Sequence, residues 1–402
     1  MLNDRNSRRH SVPVLNLGAP PLRERVDNIQ VLRFMGALMV VLYHASKPPL
    51  ERLGWQGGTD FLAAGVDIFF VISGFIMIFT TRGFSRTVVE FWIDRIIRIV
   101  PVYWAAIAVI VLLFAAGLRP NGLMAFDTSD LLTTLFFIPH VRADGAFAPL
   151  LNVGWTLNYE MFFYLVFGLT LFFRSHMVSL SLITALFLGL VAIGLFADFT
   201  NATPLAASYT NPIILEFLAG CFLGYLYTHL QRASQKSAAT GIALLATGFG
   251  GLVLGTAITP VGSGLDPWRA MSAGIPAVLI VSGALMLERS GRKLSAGWMQ
   301  FMGAASYSIY IFHLLAFQFT GKVIGIFVDT QSAPAAVLVG IALIYIIAGL
   351  TAGSFVYVLL ERPVVTWLKR VSRGAGIGLG GFRQRARSEG VAAPPPKVPP
   401  FP

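Results

Sequence analysis

The hydrophobic positions of this chain fall into long, uniform runs that are separated by short polar segments. A run of about 20 apolar residues can cross a bilayer as a helix, because each residue adds about 1.5 Å. Barrel strands would instead be short and would alternate between apolar and polar positions. The pattern therefore predicts an all-α fold, a polytopic membrane bundle of about ten transmembrane helices. The predicted spans are about 28–46, 60–80, 99–117, 153–173, 177–197, 211–230, 239–258, 271–287, 303–323 and 335–360.

The distribution of basic residues predicts how this bundle is oriented. Charged residues are only 12% of the 402 positions, about half of their share in a soluble domain, which excludes a soluble enzyme with a charged surface. An even number of spans places both termini on one side, and a cytoplasmic N-terminus assigns 23 Lys/Arg to the cytoplasm and six to the outer loops. This asymmetry satisfies the positive-inside rule. We therefore interpret the net charge of +11 as a topology signal and an attraction to anionic lipid, with no nucleic-acid partner.

Three segments are predicted along the chain. They are a basic cytoplasmic arm at 1–27, the transmembrane domain at 28–365, and a basic, Pro/Gly-rich, disordered cytoplasmic tail at 366–402. The arm lacks the apolar region of a cleaved signal peptide, so the first span is expected to stay in the protein. The outer loop at about 118–152 is the longest and is the predicted lid or substrate-facing segment. The single cysteine, Cys221, is interpreted as buried packing rather than as an acyl carrier.

Ionisable side chains inside a membrane span are costly and therefore mark candidate functional positions. Arg33 and His44 lie eleven positions apart in the first span, so they are about 20° apart on one helix face and about 16 Å apart along the axis. In the predicted orientation, Arg33 lies toward the cytoplasm and His44 toward the outer surface. One face thus carries a cation and a candidate general base. The alternative is that each side chain simply reaches its nearer membrane interface.

Three carboxylates, Asp67, Glu160 and Glu216, are predicted in the outer halves of spans two, four and six. This depth matches that of His44. A carboxylate that accepts one imidazole N–H fixes the tautomer of the ring and raises its basicity. We therefore interpret Asp67 or Glu160 as the catalytic partner that orients His44. The alternative, which weighs about the same for each single carboxylate, is a structural charge paired between helices.

Candidate donor-binding residues lie toward the opposite side of the membrane. Arg95 and Arg98 precede the third span at a spacing of i and i+3, so they share a helix face and could bind phosphate groups through their planar guanidinium groups. Anchoring at the membrane boundary is the alternative. Ser73 and Gly74 indicate either close helix packing or a narrow passage for a cofactor arm. Secondary candidates are Tyr43, Glu216 and His313, of which His313 either lines the same cavity or bonds across helices.

Several motifs together resemble the acyltransferase-3 family of integral membrane O-acyltransferases. The matching segments are Arg33 with His44, 65–75 (GVDIFFVISGF), 95–104 (RIIRIVPVYW), 154–164 (GWTLNYEMFFY), 306–310 (SYSIY) with His313, and 361–363 (ERP). The segment 28–33 (NIQVLR) is similar to the exopolysaccharide acetyltransferase branch. One departure is Thr156, where the family often has serine. The resemblance covers about 28–365, and the order and spacing of the motifs give it more weight than any single motif.

This resemblance implies a multi-pass protein of the bacterial inner membrane that moves an acyl group, acetyl by default, from cytoplasmic acetyl-CoA to a carbohydrate hydroxyl at the outer face. It implies a catalytic role for His44 and roles in donor binding or activity for Arg33, Arg95 and Arg98. The expected partners are acyl-CoA, a carbohydrate acceptor, membrane lipid and either polysaccharide-assembly proteins or a separate esterase-like protein. Direct transfer and a transient acyl-enzyme both stay open.

Two further points concern chemistry that the motifs do not require. No His/Cys/Asp cluster in the sequence has metal-ligand spacing, so no metal is predicted.

The alternative function is a secondary transporter or exporter, in which the same buried charges would form a proton relay or a substrate path. The sequence lacks paired Gly/Pro-broken spans in two matching halves, which disfavours the transporter.

Overall fold

The structure, a computed structural model, describes residues 26–54, 58–84, 87–196, 203–229, 236–259, 266–330 and 332–374. Ten helical segments in this part of the chain are long and apolar enough to cross a membrane, and no β-strand occurs among these residues. The predicted all-α membrane bundle is therefore confirmed, while the cytoplasmic placement of both termini stays a prediction. The segments are α1 (Asp27–Arg52), α2 (Asp60–Thr81), α3 (Val88–Ala115), α4 (Asn152–Phe173), α5 (His176–Phe196), α6 (Pro204–His229), α7 (Ala238–Ile258), α8 (Ala270–Arg289), α9 (Gly297–Phe327) and α10 (Ala335–Gly374).

The third span begins earlier than the hydrophobic run predicted. Thr87 and Glu90 form a capping box, in which the Glu90 backbone N–H donates to Thr87 Oγ1 (3.2 Å) and the Thr87 backbone N–H donates to the Glu90 carboxylate (2.7 Å). The helix therefore starts at Val88, and not near residue 99. As a result Arg95 and Arg98 lie inside a regular helix, where their i and i+3 spacing fixes their relative direction.

The last span extends further than predicted. After Ala335–Val356, a π-helical turn at Tyr357–Glu361 leads into the helix Arg362–Gly374. The prediction of a disordered tail is therefore wrong for residues 366–374, because Trp367 and Val371 lie four positions apart and give this helix a common apolar face. The other residues assigned to that tail, and those of the N-terminal arm before residue 26, lie outside the described part of the chain.

The closest helix contact in the bundle centre joins α2 and α6. A Cβ atom at Gly74 would lie 2.0 Å from the Phe217 carbonyl oxygen, and one at Gly220 would lie 2.0 Å from the Val71 carbonyl oxygen. Only glycine permits such an approach of two backbones. Gly74 therefore confirms the packing interpretation of this motif, while the neighbouring Ser73 lines a cavity on another side of α2.

The first span lies inside the bundle, where it packs against α2, α9 and α10. On one side, a Cβ atom at Gly36 would lie 3.0 Å from the Gly65 carbonyl oxygen of α2. On another, a Cβ atom at Gly303 of α9 would lie 2.1 Å from the Gln30 carbonyl oxygen. The face of α1 with Arg33 and His44 consequently borders cavities within the protein, which disfavours the interpretation as two interfacial side chains.

The loop between α3 and α4 is held by its own polar contacts. It contains a short helix, Thr128–Leu135, which begins at a capping box. Arg142 Nε and Nη2 donate to Asp144 Oδ1 and Oδ2 at 3.0 and 2.9 Å, and this bonding lowers the pKa of the Asp144 carboxyl below its ordinary value. The end of the loop contributes Ala148 to the wall of the cavity that contains His44. Its role as a lid stays a prediction.

Candidate active site

Two cavities adjoin each other along α1. We call the first the arginine cavity and the second the histidine cavity. Val66 and Tyr310 line both cavities, so these two side chains mark the junction between them. The arginine cavity is defined by Arg33, Ser73, Arg95, Arg98, Glu160, Tyr164 and Tyr307, and the histidine cavity by Tyr43, His44, Asn152, Trp155 and Arg269.

The arginine cavity collects the cations that the sequence identified. Arg33 is buried and donates to Gln30 Oε1 at 3.0 Å. Arg95 is also buried, and its guanidinium lies 5.7 Å from the centre of the Tyr164 ring. Arg98, three positions further along α3, lines the same cavity. All three arginines line one cavity, where a single ligand could contact them, and the binding role of Arg95 and Arg98 stays a prediction.

A single carboxylate, Glu160, shares the arginine cavity. Its Oε1 atom lies 3.3 Å from Ser73 Oγ and accepts a hydrogen bond from the Tyr164 hydroxyl. Ser73 lies six positions beyond Asp67 on α2, about 9 Å along a helix axis. Glu160 is therefore deeper in the bundle than Asp67, which corrects the predicted coincidence of depth. Glu361, which is also buried, interacts electrostatically with Arg33 and Arg98. Three arginines and these two carboxylates leave a positive balance that suits an anionic ligand.

His44 pairs with His313, and not with a carboxylate. His44 Nδ1 lies 3.1 Å from His313 Nε2 and 3.0 Å from the Val40 carbonyl oxygen. His313 Nδ1 donates to the Tyr310 carbonyl oxygen at 2.8 Å, which leaves His313 Nε2 as an acceptor. Both neighbours of His44 Nδ1 are then acceptors, so this atom carries the ring proton. The lone pair consequently lies on His44 Nε2, the nitrogen that a general base uses.

This geometry corrects the hypothesis that Asp67 or Glu160 orients His44. Neither carboxylate bonds to His44 in the described structure. Asp67 Oδ1 and Oδ2 accept from Arg269 Nε and Nη2 at 3.0 and 2.7 Å, so Asp67 belongs to a buried ion pair. Glu216 is buried next to the same pair. Asp67 is therefore a charge paired between helices, as the structural alternative predicted, and does not contact the imidazole.

Arg269 was predicted to lie in an outer loop and was therefore not among the candidate site residues. In the structure Arg269 is only 2% exposed and stands directly before α8. A buried carboxylate needs a nearby cation. The position of Asp67 inside a span was therefore the sequence signal that could have predicted a buried cationic partner.

Of the secondary candidates, Tyr43 lines the histidine cavity and its hydroxyl accepts from Lys47 Nζ at 3.1 Å. Glu361, from the last motif, is buried and accepts a hydrogen bond from Ser308 at 2.5 Å.

Two further candidate chemistries depend on cysteine and on metal ligands. The thiol of Cys221 is buried in the hydrophobic core around α6, in agreement with its interpretation as packing. Within the residues that the structure describes, no group of three or more His, Cys, Asp or Glu side chains could hold a metal ion. The polar side chains that line the two cavities carry imidazole, guanidinium, carboxylate, amide and hydroxyl groups.

A family model described as an acyltransferase domain matches residues 26–353. This chain belongs to the acyltransferase-3 family. The matched region includes the arginine and histidine cavities and every motif quoted above except 361–363. The resemblance predicted from the motifs is thus confirmed, and the chain is a multi-pass membrane member of this acyltransferase family.

The names of three curated relatives refer to exopolysaccharide production, to O-acetyl transfer and to peptidoglycan. The chain is 39% identical over 304 residues to the exopolysaccharide production protein ExoZ of Rhizobium meliloti (strain 1021). This match covers 75% of this chain and 89% of ExoZ. It is 26% identical over 309 residues to the O-acetyltransferase OatA of Staphylococcus aureus (strain NCTC 8325 / PS 47), or 70% of this chain and 49% of OatA. The match to the peptidoglycan O-acetyltransferase OatA of Listeria monocytogenes is 26% over 226 residues and covers 51% of this chain and 34% of that relative. No solved structure matches the chain.

Proposed function

We propose that this acyltransferase is an O-acyltransferase of the bacterial inner membrane that transfers an acyl group, acetyl by default, from acyl-CoA to a hydroxyl of a cell-envelope or exported carbohydrate. Family membership supports the reaction class and disfavours the transporter alternative. The names of the relatives ExoZ and OatA support acetyl as the group and a carbohydrate as the acceptor. The observation that carries the proposal is the junction of a cationic cavity with a cavity that holds an oriented imidazole.

The donor occupies the arginine cavity. CoA carries several phosphate groups, and the guanidinium groups of Arg33, Arg95 and Arg98 offer charge-assisted hydrogen bonds to them. Glu160 offsets part of this positive charge and holds Ser73 and Tyr164 in fixed positions beside it. The predicted orientation turns this cavity toward the cytoplasm, where acyl-CoA is made. The thioester end of the donor then reaches the junction at Val66 and Tyr310.

The acceptor hydroxyl enters the histidine cavity from the outer side. His44 Nε2 removes the hydroxyl proton as the sugar oxygen attacks the acyl carbonyl carbon. His313 and the Val40 carbonyl oxygen hold His44 Nδ1–H, so the ring keeps the tautomer that this step needs. When the intermediate collapses, the C–S bond breaks and the imidazolium returns its proton to the departing thiolate. Enclosing both reactants near one junction lowers the barrier further, because the reacting groups are already held close together.

The test is turnover of labelled acetyl-CoA in membranes that contain the wild type or His44→Ala, with and without crude envelope glycan. We expect glycan-bound label and free thiol from the wild type, and a rate of formation about 10²–10⁴-fold lower in the variant. The matched control is His229→Ala. His229 is an exposed histidine at the far end of α6 and should tolerate the change.

Two outcomes would contradict the proposal. Equal turnover in wild type and His44→Ala would remove this imidazole from the reaction. If folded wild type gave no thiol with a panel of acyl-CoA donors and glycans, the transporter would become the function to test, because transport does not require the release of CoA.

A further inference from the structure

The ion pair of Arg269 with Asp67 leaves part of the guanidinium for the histidine cavity. Arg269 Nε donates to Asp67 Oδ1, and Nη2 donates both to Asp67 Oδ2 and to the Ala63 carbonyl oxygen at 3.1 Å. A guanidinium has five N–H donors, and these three bonds use all of the donors on Nε and Nη2. Nη1 bonds to no residue within the described ranges. The side chain lines the same cavity as His44, so the two Nη1 donors are available to a ligand there.

The position of this guanidinium is fixed before any ligand binds. Two bonds to one carboxylate hold the plane of the group, and the Trp155 ring lies beneath it at 5.5 Å from the ring centre. Asp67 is completely buried, so water does not compete for these contacts. A donor that is already oriented loses little energy through reorganisation when charge develops beside it. This property distinguishes Arg269 from the exposed cations of the surface.

We propose that Arg269 Nη1 binds the acyl carbonyl oxygen at the junction and stabilises the oxyanion of the tetrahedral intermediate. The inference rests on the proposed acyl transfer. In that step the sugar oxygen forms a bond to the carbonyl carbon, the π pair moves to the carbonyl oxygen, and the hydroxyl proton goes to His44 Nε2. Nη1 donates to the resulting oxyanion until the pair returns and the thiolate leaves. Asp67 acts as the positioning residue for Arg269, because its two oxygens set the direction in which Nη1 points.

The test uses the double variant Arg269→Gln/Asp67→Asn, which removes the two paired charges together, so that neither partner of the ion pair is left alone in the core. We expect kcat for thiol release with acetyl-CoA and envelope glycan to fall by about 10²–10³-fold. The KM for acetyl-CoA should stay within about threefold, since the donor phosphates lie in the other cavity. The matched control is Glu288→Gln/Lys293→Gln, which neutralises an ion pair of 3.4 Å away from both cavities and should turn over normally.

Chemical rescue separates the chemical role from a structural one. In Arg269→Ala, guanidinium can occupy the space beside Asp67 and should restore part of kcat, whereas uncharged urea should not. The inference would be overturned by a double variant with kcat within threefold of the wild type, by a rise in acceptor KM at unchanged kcat, or by no rescue in a folded Arg269→Ala protein. If the wild type and the control also failed to release thiol, the proposed function would be overturned, and the inference with it.

Discussion

The arginine cavity and the histidine cavity adjoin at two side chains but differ in their electrostatics. The first is lined by three arginines and Glu160, and even with the nearby Glu361 its charges sum to a positive balance. The second holds one arginine, and the charge of this Arg269 is already matched by Asp67 at 2.7 Å. The difference indicates that the two cavities have separate roles. One cavity is built to bind an anion strongly, and the other provides oriented hydrogen-bonding atoms in a nearly neutral environment.

The same difference in charge suits the position of His44 in the histidine cavity. A general base needs a free lone pair before the reaction. An unpaired cation nearby, or a carboxylate in direct contact, would change how readily His44 takes up a proton. The His313 Nε2 atom accepts from His44 Nδ1–H without a formal charge. The pair thus fixes the tautomer while the histidine cavity stays close to neutral. This arrangement predicts different kinetic defects for variants in the two cavities.

The larger effect is expected in the arginine cavity. The variant Arg95→Gln/Arg98→Gln removes two guanidinium groups that face one space. Each lost hydrogen bond to a charged group costs about 1.5–3 kcal/mol, so the KM for acetyl-CoA should rise by at least about 100-fold. Steady-state kinetics at varied acetyl-CoA measure this change. The control is Arg289→Gln, at the end of α8, and an unchanged donor KM in the double variant would contradict the assignment of the donor cavity.

A smaller effect is expected for the partner of the base. His313→Ala removes the acceptor of His44 Nδ1–H, so kcat should fall by about tenfold while the donor KM is retained, since the Val40 carbonyl oxygen still holds the ring. His313→Gln offers an amide oxygen as acceptor and should recover most of the loss. The measurement is kcat for both variants at saturating donor. Equal defects in the two variants would show that His313 acts through packing rather than through this hydrogen bond.

The sequence predicted the elements well because membrane spans leave a strong signal. Length and hydropathy identified ten spans, and helical periodicity placed Arg33 and His44 on one face of α1. Both side chains do line cavities within the bundle. The small-residue motif at Gly74 likewise predicted a close helix contact, which occurs against α6. These predictions depend on local spacing, which a single sequence contains.

The partners within the site could not be predicted in the same way. Depth in the membrane suggested that Asp67 and Glu160 lie near His44, but the rotation of each helix about its axis decides which side chains meet. That rotation comes from packing between distant segments, such as α2 against α6. Arg269 was missed because the positive-inside rule counts charges near the ends of spans and does not distinguish a buried arginine from an exposed one.

Our central claim is that donor and acceptor reach one junction from opposite sides of the membrane. Sealed vesicles of known orientation test it directly, with labelled acetyl-CoA added outside and envelope glycan on both sides. We predict that inside-out vesicles, whose cytoplasmic face is exposed, label the enclosed glycan, and that right-side-out vesicles do so only after detergent opens them. Labelling by intact right-side-out vesicles, or labelling in inside-out vesicles of only the glycan that shares the donor's side, would contradict transfer across the junction at Val66 and Tyr310.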